Sequence, residues 1–310
     1  MRVIIVGLGV QGYKRRKFAG DDFVCSVDTI NEEADYKDIS DVALGDFDAA
    51  MCCIPDKPKK EILEYLIQNG KHVLVEKPLW VPKLEDICYL ERLAQEKGVV
   101  LYTAYNHRFE PHFINMKKLL DEGKLGEIYS CRMFYGNGTA RLVRNSAWRD
   151  EGAGVLPDLC SHLLDTSCFW FGKLEGKFNL QACIRFENIA PDHVVVSSED
   201  NKPRLELEMT LLSWRNHFTC DIFAEKGSAH ISSLCKWGPS SLTHYSRVIP
   251  AGRPPEQTIT LAQADPTWEL EYAHFKNLCL NNIKTDLGQD RYLHETLDRL
   301  SNLAIQSRKD

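Results

Sequence analysis

An α/β protein is predicted, in which a doubly wound parallel-sheet domain over residues 1–108 precedes an α+β domain over 109–310 built on a large, mainly antiparallel sheet. Three observations carry this. Short β-runs alternate with helical periodicity through the first third, a glycine-rich turn follows the first β-run, and beyond about Arg108 the β-runs lengthen and lose their intervening helices. A length of 310 residues suits two domains of roughly 100–200 residues each.

Residues 2–6, 23–27, 49–54, 72–75 and 99–104 read as five buried strands. Between them, residues 59–68 set Ile62, Leu63, Leu66 and Ile67 on one helical stripe and stop at Gly70, and residues 84–96 repeat Leu84, Ile87, Leu90 and Leu93 before Gly98. Past Arg108, a helix bearing Phe113, Met116, Leu119 and Leu120 leads through Gly123 into strands at 127–135, 177–186, 204–214 and 219–224. Leu205, Leu207, Met209 and Leu211 alternate with polar residues, the pattern of a strand with one covered face. Pro250, Gly252, Pro254 and Pro255 mark an exposed loop, and amphipathic helices near 268–281 and 291–307 close the chain.

Composition narrows the function classes. Hydrophobic residues at 44% and charged residues at 26% are ordinary for a globular chain, and a net charge of −6 offers no general attraction to nucleic acid or to acidic membranes. No apolar run approaches the roughly 18 residues of a spanning helix. The eleven cysteines are odd in number, lack C-x-x-C spacing and sit mostly in apolar runs, as buried thiols of a reducing, cytoplasmic protein would. His107 and His112 do not have metal-ligand spacing, no metal is expected, and His230 and Trp237 read as packing residues.

Gly7-Leu8-Gly9-Val10-Gln11-Gly12 is a G-x-G-x-x-G directly after the first strand. Its glycines permit a sharp turn, close approach of backbone to a pyrophosphate, and tight helix packing, which makes the first domain Rossmann-type. Asp28, at the end of the second strand, is placed to accept hydrogen bonds from an adenosine ribose and to repel a 2′-phosphate, so NAD is expected over NADP. Lys14, Arg15, Arg16 and Lys17 follow the loop and read as a solvated helix face, the alternative being contact with that phosphate.

Glu76-Lys77-Pro78 ends the fourth strand, placing Lys77 at the sheet edge where open α/β folds keep their ligands. Further on, the Gly152-Ala153-Gly154 turn feeds a helix in which Asp158, His162 and Asp165 fall within about 60° at 100° per residue, a line of proton carriers. Together with Trp148-Arg149 and the strand-rich second half, these motifs resemble the Gfo/Idh/MocA oxidoreductases over nearly the whole chain.

That resemblance implies an NAD(P)-dependent dehydrogenase acting on a secondary alcohol of a sugar, cyclitol or nucleotide-linked sugar, working as a homodimer or homotetramer. It implies catalytic roles for Lys77, which contacts the reacting oxygen, for His162 as general acid/base, and for Asp158 beside it. It extends the cofactor set from the glycine loop and Asp28 to Ile54, Pro55, Glu76 and Lys77, and the substrate set to Lys77, Arg108, Arg149, Asp158 and His162. Arg141 and Arg144 are further candidates for an anionic substrate. The chain departs from the family pattern in having Asp56-Lys57-Pro58-Lys59 where N-x-x-H is frequent, Ala153 in a glycine run, and Cys160 where glycine is common. A nicotinamide-nucleotide-sensing regulator of the same fold is the alternative, and Lys77 and His162 argue against it because a sensor does not need that pair. Tetrapyrrole reduction would not call for a proton-relay histidine.

Overall fold

The computed structural model describes residues 1–146 and 149–307. Two compact units form: Met1–Asn106 with Pro266–His294, and His107–Asp265 with Glu295–Asp310. The first change of unit falls between Asn106 and His107, and residues 266–294 return to the first unit.

In the first unit, β1 (Val3–Val6), β2 (Phe23–Val27), β3 (Ala49–Cys52), β4 (His72–Glu76) and β5 (Leu101–Ala104) make a parallel sheet in the order β2-β1-β3-β4-β5. Strand residues alternate between two cores. Ile4, Val6, Ala50, Cys52, Val73 and Val75 face one, shared with Leu63, Leu66, Ile87 and Leu90 of the helices α2 (Lys59–Gln68) and α3 (Leu84–Lys97). Val3, Ile5, Ala49, Met51 and Leu74 face the other, shared with Ala19 of α1 (Val10–Ala19) and with Tyr272 and Phe275 of the helix Thr267–Leu280. Burial on both faces explains why these strands read as apolar runs. It also explains the return of the chain: the second face needs a cover that the first hundred residues supply only in part. Between β2 and β3 the short turns Ile39–Asp41 and Leu44–Asp46 stand where a longer helix is common.

The second unit holds an eight-stranded sheet. Its strands are β6 (Ile128–Gly136), β7 (Asn179–Ile184), β8 (His193–Ser198), β9 (Arg204–Thr210), β10 (His217–Ala224), β11 (Gly227–Ser232), β12 (Ser240–Ser246) and β13 (Glu256–Leu261), in the order β13-β12-β11-β10-β6-β9-β8-β7. Every pairing is antiparallel except β6 with β9: the helix α4 (Pro111–Asp121) leads into β6, and the chain then passes through the helices α5 (Ala140–Arg144) and α6 (Ser161–Phe171) and through β7 and β8 before β9 enters beside β6. As the alternation required, Leu205, Leu207 and Met209 are buried, while Glu206 and Glu208 on the open face flank Arg132 at 3.0 and 3.4 Å. His230 does more than pack, since its ring nitrogens lie 2.6 Å from Asp221 Oδ1 and 2.8 Å from Ser228 Oγ on that open face. No helix among the described residues is long and apolar enough to cross a membrane.

Candidate active site

Three glycines shape the first-unit loop for three different reasons. Gly7 has φ +91°, and a Cβ there would lie 2.3 Å from the Cys53 carbonyl oxygen; a Cβ on Gly12 would lie 2.0 Å from the Gly7 carbonyl oxygen. Gly9 is different, because its φ is an ordinary −86° and a Cβ would meet nothing within 4 Å. Nothing inside the chain demands glycine at that point, whereas a ligand lying against the backbone does. Gly9 also caps α1 without a side-chain hydrogen bond, leaving the amides of the helix start to a phosphate. The residues therefore fit a dinucleotide pyrophosphate. Gly12→Ala is expected to destabilise the chain by about 1–3 kcal/mol. Gly9→Ala should shift stability by less than about 0.5 kcal/mol yet weaken dinucleotide binding tenfold or more, about 1.4 kcal/mol. Urea unfolding and calorimetric titration read the two effects, and unchanged affinity in Gly9→Ala would remove the cradle.

Asp28 ties the second strand to the loop. Leu8 N donates to its Oδ2 at 2.6 Å, Ile30 N and Asn31 N donate to Oδ1 at 2.9 and 2.8 Å, and Asn31 Nδ2 returns a bond to Leu8 O at 2.8 Å. Partial burial works to raise the carboxyl pKa, but the amides of Asn31, Ile30 and Leu8 and the charge of Lys37 hold it below its ordinary value. The group is an anion with lone pairs left for hydroxyls.

The expected solvated face of α1 is corrected by the structure at Arg15, which is 1% exposed. Its Nε donates to Glu76 Oε1 and its Nη1 to Glu271 Oε2, both at 2.7 Å, and its guanidinium lies 4.4 Å from the Trp268 ring centre. Lys14 lies over the same ring and Arg16 over Phe23, at 5.0 and 4.7 Å. Helical packing turned these side chains toward aromatic neighbours, a choice no local pattern encodes. Glu76, expected at the cofactor, has Arg15 as its partner. Lys77 is half-buried at the end of β4, before the cis bond to Pro78. Lys59, in the segment that departs from the family pattern, is 2% exposed and bonds both Asp56 Oδ1 at 2.6 Å and the Pro78 carbonyl oxygen at 3.0 Å. It thereby anchors the Lys77-Pro78 turn. Ile54 is half-buried and Pro55 exposed after β3, while Val10 and Gln11 are exposed on α1 and Leu8 turns its side chain into the core.

In the second unit, Gly154 has φ +55° and its Cβ position lies 2.1 Å from the Pro191 carbonyl oxygen, so the turn presses against the neighbouring backbone. A wide π turn, Leu156–Cys160, then opens into α6, which is buried through Cys168. The wide turn changes the angular spacing expected at 100° per residue, and such turns recur at functional sites. His162 is 9% exposed and Asp158 half-buried. Asp165 leaves the expected line of proton carriers: it is 1% exposed and takes Arg108 Nε at 3.0 Å and Nη2 at 2.5 Å. Arg108, expected at the substrate, is thereby held through a forked ion pair on Asp165. Arg149 is half-buried, Arg141 and Arg144 are exposed, and Trp148 lies outside the described residues.

The N-terminal profile of an oxidoreductase family, described as an NAD-binding Rossmann fold, matches residues 1–105, and that of the Gfo/Idh/MocA C-terminal domain matches 113–230. The chain belongs to the Gfo/Idh/MocA oxidoreductase family. Its first unit is thus an NAD(P)-binding Rossmann domain. Over 109 residues it is 37% identical to scyllo-inositol 2-dehydrogenase (NADP(+)) of Bacillus subtilis strain 168, covering 34% of this chain and 30% of that protein. Over 131 residues it is 25% identical to inositol 2-dehydrogenase of Rhizobium meliloti strain 1021, covering 42% and 38%. These matches span 30% and 38% of the relatives' own length. Levoglucosan dehydrogenase in complex with NADH and L-sorbose superposes with a TM-score of 0.81 at 18% identity, covering 99% of this chain and 97% of that one. UDP-N-acetylglucosamine 3-dehydrogenase of Acidithiobacillus ferrooxidans gives 0.80 at 17% identity, with 97% and 96% covered. At such identities the shared property is the fold.

Two residues of this Gfo/Idh/MocA chain escaped the sequence reading. His107, 3% exposed, stacks on His162 with ring centroids 4.0 Å apart and planes at 19°, which joins it to that histidine. Lys236 places Nζ 3.0 Å from His107 Nε2 and 4.8 Å from the Trp237 ring centre. Burial lowers its pKa below the ordinary lysine value, against the pull of Asp265, Glu110, Cys235 and Asp158. Glu110, 1% exposed, fixes this turn by accepting from Cys235 N at 3.1 Å and Cys235 Sγ at 3.0 Å. His107 meets His162 across 55 positions and Lys236 meets His107 across 129, separations that hid both from any local pattern.

Proposed function

We propose that the chain is an NAD-dependent dehydrogenase acting on a secondary alcohol of a sugar, cyclitol or nucleotide-linked sugar. One observation supports this above others: the parallel sheet brings the glycine loop after β1, Asp28 after β2 and Lys77 after β4 to a single edge. The names of the relatives favour the substrate class, since they are inositol, levoglucosan and nucleotide-sugar dehydrogenases. When bound, the nicotinamide supplies the hydride acceptor. Lys77 stabilises the oxygen that becomes an alkoxide, His162 takes the hydroxyl proton, and Asp158 orients the substrate or passes that proton on. A homodimer or homotetramer in the cytoplasm completes the proposal; the open face of the larger sheet, where Phe223, His230 and Tyr245 touch at 5.6 Å, is the surface for self-association.

NAD is favoured over NADP because Asp28 is anionic and Arg15 of α1 is taken up by Glu76 and Glu271. The test is turnover on a panel of sugars, cyclitols and nucleotide-sugars with each cofactor, followed at the reduced-nicotinamide absorbance, beside calorimetric titration of both cofactors. NAD should bind tighter, and Asp28→Ala should abolish the preference. Tighter NADP binding, or an Asp28→Ala variant with unchanged NAD affinity, would overturn the cofactor assignment; silence across the whole panel would overturn the activity.

A further inference from the structure

His162 is one of two stacked imidazoles, and nothing in the stack by itself says which ring takes a proton. We propose that Lys236 is a positioning residue that decides this, holding His107 neutral so that His162 alone exchanges a proton near neutral pH. The inference rests on the dehydrogenase reading for its purpose, but its geometry lies wholly within the second unit.

Lys236 Nζ sits 3.0 Å from His107 Nε2. With Lys236 as an ammonium, which has donors and no acceptor, His107 Nε2 is the bare nitrogen of the pair and the ring proton of the neutral imidazole resides on Nδ1. Adding a proton to Nε2 would break that bond and set an imidazolium against an ammonium at contact distance. His162 lies one ring further away, at 4.0 Å centroid separation from His107, and feels the same charge more weakly. The first proton taken up by the stack therefore goes to His162. The turn Cys235–Trp237 is held for this task by Glu110, through Cys235 N and Sγ, while Tyr135 packs on both imidazoles at 5.5 and 6.1 Å.

Asp158 stands in the wide turn before α6, Asp165 lies one turn after His162 on α6 and is paired with Arg108, and Asp265, Glu110, Cys235 and Asp158 act on Lys236. The Lys236 ammonium in contact with His107 sets the order of the two rings.

Imidazole resonances of protein labelled with ¹⁵N-histidine, recorded from pH 5 to 9 and assigned with His107→Gln and His162→Asn, read tautomer and charge of each ring without any substrate. The expected result is a His107 that keeps a bare Nε2 and a protonated Nδ1 while His162 titrates. In Lys236→Met the His107 midpoint should move up by about one pH unit or more, the size of losing a like charge in contact, and Lys236→Arg should restore the wild-type order. A His107 that carries its proton on Nε2, or that titrates before His162 in the unaltered protein, overturns the proposal, as does a Lys236→Met variant with an unmoved His107. The unaltered protein decides even where Lys236→Met fails to fold. Because no turnover is needed, failure of the dehydrogenase reading would be seen separately, in the substrate panel.

Discussion

Turnover on the substrate identified by the panel should fall by about 10²–10⁴-fold when His162 is replaced by Asn, the contribution expected of a general base. Oxidation of a secondary alcohol requires that a proton leave as the hydride does, and an imidazole titrates in the range where the loss can occur without strong alkali. Lys77→Met should cost at least as much, because an ammonium beside the developing alkoxide stabilises charge that is absent in the ground state. Asp158→Asn should cost less if Asp158 orients or relays. Dinucleotide affinity should survive His162→Asn, since the glycine loop and Asp28 belong to the first unit and His162 to the second. Stopped-flow turnover paired with calorimetry separates the two quantities. Near-normal turnover in a Lys77→Met, His162→Asn double variant would move the chemistry elsewhere.

Arg15→Met is expected to destabilise the chain by about 3–5 kcal/mol, although Arg15 touches no reacting atom. The reason is what it leaves behind. Glu271 is fully buried and Glu76 has a side chain 16% exposed, and both lose the guanidinium that neutralises them at 2.7 Å. Burial alone would lower the proton affinity of Arg15; the charges of Glu271 and Glu76 outweigh it and raise the pKa above the ordinary arginine value. Removing all three charges together, as Arg15→Met with Glu76→Gln and Glu271→Gln, should recover much of the loss, because no uncompensated anion remains. Urea unfolding checks both variants. A loss below about 1 kcal/mol in Arg15→Met would show that the carboxylates find other partners.

The first unit was legible to an unusual degree because its information is local. Apolar runs of four or five residues mark strands covered on both faces, Gly70 and Gly98 end the helices, and G-x-G-x-x-G with Asp28 announces a nucleotide edge. Similar locality made Glu76-Lys77-Pro78 and the Asp158-to-Asp165 segment visible. The second unit was harder. β8, β11, β12 and β13 were not anticipated, and β13 shows why: five of its six residues are exposed, so it carries little apolar signal, and its place is set by pairing with β12. The parallel pairing of β6 with β9 depends on where the chain returns after α6, which is a property of the whole sheet.

By itself, the sequence determined the fold class, the glycine loop, the acid proposed to meet the ribose and the lysine and histidine proposed for the chemistry, because each is written in residues near one another along the chain. Tertiary structure alone decided the partners. It buried Arg15 between Glu76 and Glu271, took Asp165 out of the proton line by giving it Arg108, and stacked His107 on His162 under Lys236. The physical reason is that charge and proton affinity depend on what lies within a few ångströms, and in a folded chain those neighbours come from sequence positions that no spacing rule connects.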